Sequence, residues 1–290
     1  MIIRAPYELT RTLTVRPREA GEPALRFFRK RFPYLQENEW RRRFDSGWIC
    51  SNGKPLLTES TLEAHQKITH YSPEVREPSV AGNLDVVQET ENWLIVNKPA
   101  PLPMHQGGRY YKNTLICILQ EMGFGELNVV HRLDSVTSGL VLLARNRKWA
   151  VKIRECFERS RVKKWYHAVV EGEMKQPQII DLPVRRKRGF VFECGHGLEG
   201  AKSARTHLVP EQILPGGRTL VRCIPETGRT HQIRLHLRAS GFSIVDDPIY
   251  GPDGDDSGQK LQNSAISLRS SGIVISELDI ECSISAAKEL

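Results

Sequence analysis

Long apolar runs are missing from this chain, and no segment reaches the roughly 18 residues that a membrane-spanning helix needs. The stretch from Met1 to Arg11 also lacks the apolar core of a secretory signal, so the expected compartment is the cytoplasm. Cysteine is sparse and unpatterned. The six, at 50, 117, 156, 194, 223 and 282, contain no C-x-x-C pair, which argues for reduced thiols rather than a disulfide framework or a zinc site. Histidine supplies no metal site either, since His231 and His236 stand five apart with no acidic residue between them. Repeats and low-complexity tracts are absent. No metal is therefore expected.

What is present is a chain of 290 residues with 39% hydrophobic content, enough for one large domain or a large one with a small companion. Its charge is unevenly placed. Residues 1–80 carry a net +4, residues 81–245 a net +10 and residues 246–290 a net −6, together the +8 of the whole chain. A basic body suits a polyanionic partner, because each Lys or Arg beside a phosphate releases counterions. It also serves plain solubility, and composition alone leaves both readings standing.

Two blocks follow from the local patterns, with the boundary near residue 80. In residues 1–80, Pro23 suits a first helical position and Leu25, Phe28 and Phe32 recur at helical spacing. Asn38 is placed to cap a second helix bearing Trp40 and Phe44, closed by Gly47; Trp48-Ile49-Cys50 with Asn52-Gly53 then reads as a hairpin. The runs Arg29 to Arg31 and Arg41 to Arg43 are either solvated helix faces or phosphate contacts. Ser72 to Asn83 reads as a linker. In residues 81–290, Val86-Val87 pairs with Leu94-Ile95-Val96, and Gly139 to Ala144 is an unbroken apolar strand. Asn146 caps a helix with Trp149, Ala150, Ile153 and Phe157 on one face and Arg147, Lys148, Lys152, Arg154 and Arg159 on the other. Lys164 to Val170 alternates as a strand. Thr230 to Gly241 is read as a helix from its ends, with Thr230 as its cap. Strands interleaved with occasional helices imply an α+β domain.

Three constellations carry candidate chemistry. His131-Arg132-Leu133-Asp134, then Thr137-Ser138-Gly139, places an acid beside an Arg in a loop feeding a core strand. Asp134 there is either a cleft carboxylate or a surface partner of Arg132. Lys164-Trp165-Tyr166-His167 opens a strand, and Tyr166 is either ordinary core or a stacking platform whose hydroxyl handles a proton. Gly228-Arg229-Thr230-His231-Gln232-Ile233-Arg234-Leu235-His236 concentrates donors. It is either a basic surface helix or the source of an Arg that keeps a carboxylate ionised.

In this order the three segments resemble the RluA family of RNA pseudouridine synthases. H-R-L-D-x-x-T-S-G at 131–139, K-x-Y at 164–166 and G-R-T-H-Q-I-R-x-H at 228–236 match its motifs. Asn97-Lys98-Pro99, His105, Lys202 to Thr206 and Asp247 to Gly251 follow in family order, and the first block is similar to the small RNA-binding module that often precedes this catalytic domain. The resemblance implies a mixed, mainly antiparallel sheet with peripheral helices, preceded by a small α/β RNA-binding module. It implies an isomerase acting on uridines of ribosomal or transfer RNA, monomeric, and without metal or cofactor because the leaving base is its own electron sink. Asp134 becomes the nucleophile or charge stabiliser, Arg234 its partner and Tyr166 the stacking and proton-handling group. Arg132 fills the gap left by a flipped uridine, while His131, Lys98, Lys164, Arg229, Thr230, His231 and Gln232 are expected at the RNA. The alternatives are a catalytically silent RNA-binding protein on the same fold, and a glycosidase-like hydrolase, which needs a second acid that these motifs lack. Two departures are visible. Ser135-Val136 replaces a charged pair after the acid, and residues 252–290 look unlike the family's closing strand, with Asp253, Asp255 and Asp256 reading as an acidic loop.

Overall fold

Local chemistry explains most of the elements. The structure is a computed structural model that describes residues 1–254 and 264–285, and its chain divides into two compact units. The small unit comprises Ile3–Pro78 with Gln106–Lys112, and the large one Met1–Ile2, Ser79–His105 and Asn113–Leu290.

In the small unit, β1 (Tyr7–Thr14) is followed by α1 (Ala24–Arg31), α2 (Glu37–Asp45), β2 (Ile49–Ser51), β3 (Lys54–Pro55) and β4 (Lys67–Val75), with sheet order β1-β4-β2-β3. The helices fold their aromatic faces onto the sheet, and Phe27, Phe28, Trp40, Phe44, Ile49 and Ile68 share one core. Asn38 does not cap α2. The cap position is Gln36, and the Asn38 side chain accepts from Glu39 N at 2.8 Å inside the first turn. The reading of a linker from Ser72 is also corrected, since β4 runs on through Val75. Its inward positions include His70 and Ser72, polar residues that break the apolar alternation. Arg43 Nη1 satisfies both, 3.1 Å from His70 Nε2 and 2.9 Å from Ser72 Oγ.

The large unit is built on a ten-stranded sheet. Its elements are β5 (Asp85–Glu89), β6 (Trp93–Lys98), α3 (Leu115–Glu121), β7 (Asn128–Val129), β8 (Ser138–Ala144), α4 (Arg147–Glu158) and β9 (Lys163–Glu171). Then come β10 (Gln178–Asp181), β11 (Val184–Arg188), β12 (Val191–Cys194), β13 (Arg205–Leu214), β14 (Arg218–Pro225), α5 (Gln232–Ala239), β15 (Leu268–Ile275) and β16 (Ile280–Ser283). The strands run in the order β10-β13-β14-β9-β15-β8-β6-β5, with β16 on β15 and β7 on β8; β11 and β12 form a separate hairpin. Pairing is antiparallel except between β15 and β8, so this is the α+β, mainly antiparallel architecture expected.

Two helices show how the ends are specified. Asn146 Oδ1 accepts from Trp149 N at 3.0 Å and starts α4, whose Ala150, Ile153 and Cys156 pack on β8 and β15. At the end of α5, Gly241 adopts φ +86°, and Phe242 N reaches back to Leu237 O at 3.0 Å, closing the last turn.

The C-terminal segment is where expectation and structure part. The segment expected to be unlike a closing strand supplies β15, which lies in mid-sheet between β9 and β8 and is almost wholly buried. Its Ser270, Ser271 and Gly272 mark close approaches. A Cβ on Gly139 would sit 2.2 Å from Ser270 O, and one on Gly272 would meet the Trp165 indole at 2.0 Å. The Gly of the 131–139 segment is thus required by the parallel pairing of β8 with β15. Asp253 is exposed; Asp255 and Asp256 lie outside the described residues.

Candidate active site

Asp134 sits in the loop between β7 and β8, pinned by buried Leu133 and Val136 on either side and by Thr137 N donating to Asp134 O at 3.1 Å. The loop is braced from below by Lys98, which is completely buried. Its ammonium donates to Pro99 O (3.1 Å), Leu102 O (2.9 Å) and Ser135 O (3.2 Å). Burial pulls that ammonium down to about 7, while Asp134 acts in the opposite direction. Lys98 therefore holds the loop from inside the fold, its ammonium engaged by three carbonyls rather than turned to the surface where it was expected.

Arg234, on α5, is 3% exposed and faces two carboxylates. Its Nη1 donates to Asp134 Oδ2 at 3.2 Å, and Nε and Nη2 grip Asp247 at 2.7 and 2.9 Å. Asp247, in turn, accepts from Ile249 N and Tyr250 N, each at 3.0 Å. One Arg fork is thus fixed bidentately on its far side and turns an Nη1 N–H towards Asp134. Burial would raise the Asp134 carboxyl, but His231 first, then the Arg234 charge and hydrogen bond, and Arg132 hold it below the usual carboxylate range.

His231 occupies the turn into α5 with φ +58°, and it rather than Thr230 is the cap residue. The Tyr250 hydroxyl oxygen accepts from Phe192 N at 2.9 Å and lies 2.8 Å from His231 Nδ1. The other ring nitrogen, His231 Nε2, lies 3.7 Å from Asp134 Oδ2. Burial depresses the basicity of the ring, while the Asp134 charge acts in the opposite direction. Tyr166, on β9, lines the same cleft. Burial first and the Asp134 charge second push its phenol up to about 12, so it is protonated at neutral pH.

The remaining expected residues divide. His131, Arg132, Lys164, Arg229, Thr230 and Gln232 all border a cleft of about 560 Å³ around Asp134, within the roughly 300–1,000 Å³ span of small-molecule sites. Arg132 and Arg229 are exposed at its rim. His131 is taken up by the fold: its Nε2 accepts from Leu142 N at 2.9 Å and its ring stacks on Phe157 at 5.0 Å. Gln232 is likewise consumed. It accepts from Thr227 Oγ1 (2.6 Å) and Arg229 N (3.0 Å), and donates to Arg205 O and Thr206 Oγ1 (both 3.0 Å). Both residues shape the pocket wall, with His131 Nε2 and the Gln232 amide engaged within the fold. Sequence reasoning missed Asp247 and Tyr250 as partners, although it noted their segment. The signal was available in principle, because a buried Arg flanked by apolar Ile233 and Leu235 demands more than one partner.

With this geometry in view, the comparisons with known proteins become specific. A profile of the family described as RNA pseudouridylate synthase matches residues 92–239, half of the chain, including Asp134, Tyr166 and Arg234. The chain belongs to that family. Among curated relatives, it is 32% identical over 254 residues to the mitochondrial tRNA pseudouridine(32) synthase of Saccharomyces cerevisiae, covering 86% of this chain and 54% of the yeast protein. The Zymomonas mobilis ribosomal large subunit pseudouridine synthase D is 33% identical over 75% of this chain and 73% of its own length. The chain thus spans little more than half of the yeast protein. Among solved structures, human RNA pseudouridylate synthase domain containing 1 aligns with a TM-score of 0.60 and 28% identity, over 72% of this chain and 86% of that one. The pseudouridylate synthase sheet is the one described above.

Proposed function

We propose that this chain is an RNA pseudouridine synthase, an isomerase converting specific uridines of transfer or ribosomal RNA to pseudouridine. The observation that carries the reading is the Asp134–Arg234 contact of 3.2 Å at the wall of a nucleoside-sized cleft that Tyr166 also lines. In this reading the Asp134 carboxylate attacks or stabilises the reacting centre while the bond from ribose carbon 1 to uracil N1 breaks. The uracil turns, carbon 5 bonds to the same ribose carbon, the carbon-5 proton leaves and N1 takes one up. Atoms balance without an added reagent, so the reading takes the enzyme as independent of metal and cofactor. Tyr166 stacks on the base and, protonated, is equipped to exchange a proton with it. A paired uridine must first flip out, at a cost of a few kcal/mol, and exposed Arg132 is the side chain placed to fill the gap.

The small unit is read as an RNA-binding module. Its basic runs carry acidic partners: Arg29 and Arg41 with Glu37, Lys30 with Glu22, Arg31 with Glu19, and Arg43 with Glu39. Where the cation is exposed, as at Arg29, Lys30 and Arg41, such a pair is worth only about 0–1 kcal/mol, so phosphates can displace the carboxylates. The alternative of a hydrolase with two acids loses ground. Asp247, the carboxylate that shares Arg234 with Asp134, has both oxygens engaged by Arg234 and backbone N–H groups, and Glu226, which with Glu158 borders the cleft, is paired with His207. The test is tritium release from 5-tritiated uridine in transfer and ribosomal RNA, followed by mapping of pseudouridines in cells with and without the protein. Release accompanied by loss of a defined pseudouridine is expected. No release from either RNA class would overturn the reading.

A further inference from the structure

The β11–β12 hairpin takes no part in the mechanism above, yet its composition and anchoring are unusual. From Val184 it reads Val-Arg-Arg-Lys-Arg-Gly-Phe-Val-Phe-Glu-Cys, with Arg186, Lys187, Arg188 and Phe190 all exposed. Phe190, 67% exposed, is the one exposed aromatic side chain among the described residues. Phe190 thus stands in water among the exposed cations Arg186, Lys187 and Arg188, while Arg185 is paired with the hairpin's Glu193 at 2.7 Å. The base of the hairpin, by contrast, is firmly seated. Val184, Val191 and Phe192 pack with Leu235 and Tyr250, and Tyr250 accepts the Phe192 N–H.

That seat adjoins the reacting centre. The Phe192 ring lies 5.2 Å from the His231 ring, and His231 Nε2 lies 3.7 Å from Asp134 Oδ2. Phe190 is two residues from Phe192, about 7 Å along an extended chain and close to the spacing of successive nucleotides. Arg186 already lies over the Phe192 ring at 5.3 Å, so the basic and aromatic groups of the hairpin share a face.

We propose that this hairpin is a substrate-gripping finger: Arg186, Lys187 and Arg188 meet phosphates of the RNA flanking the target uridine, and Phe190 stacks on an unpaired neighbouring base. The proposal rests on the RNA-modifying reading of the same site, which it deepens by naming the segment that holds the neighbouring nucleotides. The chemistry recognised is that of single-stranded or splayed RNA, a charged backbone with free base faces.

The test uses the full chain, a fluorescein-labelled 12-nucleotide single-stranded RNA containing one uridine, and 5-tritiated transfer and ribosomal RNA. Phe190→Ala is expected to weaken oligonucleotide binding about ten-fold at every salt concentration, with Phe190→Trp restoring it. Changing Arg186, Lys187 and Arg188 to Gln together is expected to reduce the log–log salt slope by about 2, at roughly 0.7 per phosphate contact on single strands. In tritium release both variants raise KM and leave kcat near wild type, which a mere loss of fold would not do. An unchanged slope in the triple variant overturns the hairpin as an RNA contact, and wild-type affinity in Phe190→Ala overturns the stacking. If the wild-type protein binds RNA but releases no tritium from either class, the isomerase reading fails while the binding data still decide the hairpin.

Discussion

Asp247→Asn isolates the residue on which the geometry of the carboxylate–Arg pair depends. Asp247 Oδ1 accepts from Arg234 Nη2, Ile249 N and Tyr250 N, while Oδ2 accepts from Arg234 Nε at 2.7 Å. An Asn at this position keeps one oxygen for the first three donors, but its amide nitrogen then faces the Arg234 Nε–H, donor against donor. The change also removes the negative charge from a side chain with no solvent exposure, opposite an Arg that is 3% exposed. Breaking a buried pair on one side costs about 3–5 kcal/mol. At roughly 2–4 °C per kcal/mol for a unit of this size, the thermal midpoint should fall by about 6–20 °C. Because Arg234 is no longer held in its fork, the 3.2 Å contact to Asp134 loosens as well, and turnover should fall more than RNA affinity. Calorimetry with single-turnover tritium release measures both. A midpoint within about 3 °C of wild type, with unchanged turnover, would refute the idea that Asp247 aims Arg234.

Lys98→Met leaves Pro99, Leu102 and Ser135 carbonyls without their donor, so stability and turnover should drop while the salt dependence of RNA binding stays that of wild type; a reduced slope would mean that Lys98 meets phosphate after all. His131, held near 3 by burial and secondarily by Lys164, is neutral in the folded state, whereas its unfolded value is 6.5. The unfolded chain therefore binds a proton first, so the stability associated with His131 is complete above about pH 6.5 and drains away as pH falls towards 3. Its ring signals in NMR should not titrate between pH 8 and 5, and a midpoint near 6.5 would contradict the buried acceptor role. Tyr166→Phe retains the ring and loses a hydroxyl that is protonated at neutral pH, so RNA affinity should remain within about two-fold while turnover falls by about 10²-fold or more; equal losses in both would reduce Tyr166 to a packing residue.

The legible parts of this chain were those where one local rule acts alone. Asn146 with the apolar face of α4, the unbroken β8, and the Gly241 terminus of α5 each follow from cap chemistry or periodicity within a few residues. The opaque parts were those where a distant neighbour overrides composition. Seen in isolation, Ser270, Ser271 and Gly272 are turn formers. They lie in a buried central strand because Gly139 and Trp165 leave no room for anything larger. His70 and Ser72 hide β4 from an apolar count because Arg43, a helix residue, completes their hydrogen bonds. At the site, the motif order pointed to Asp134, Tyr166 and Arg234, but residue chemistry by itself left each of them with an ordinary alternative. Several polar residues expected at the RNA also carry hydrogen bonds inside the fold. His131, Gln232 and Lys98 have their polar atoms taken up by Leu142 N, by Thr227 and Thr206, and by three carbonyls, which sequence spacing does not reveal.

Asp134→Asn bears most directly on the central claim, that one ionised carboxylate carries the isomerisation. The substitution keeps the side chain's shape and an oxygen for Arg234 Nη1 and removes the charge, so folding and RNA affinity should be preserved. Tritium release from 5-tritiated uridine RNA should fall by at least about a thousand-fold, as expected when a sole nucleophile is removed. A variant that folds, binds RNA and still releases tritium at a tenth of the wild-type rate or more would contradict the account.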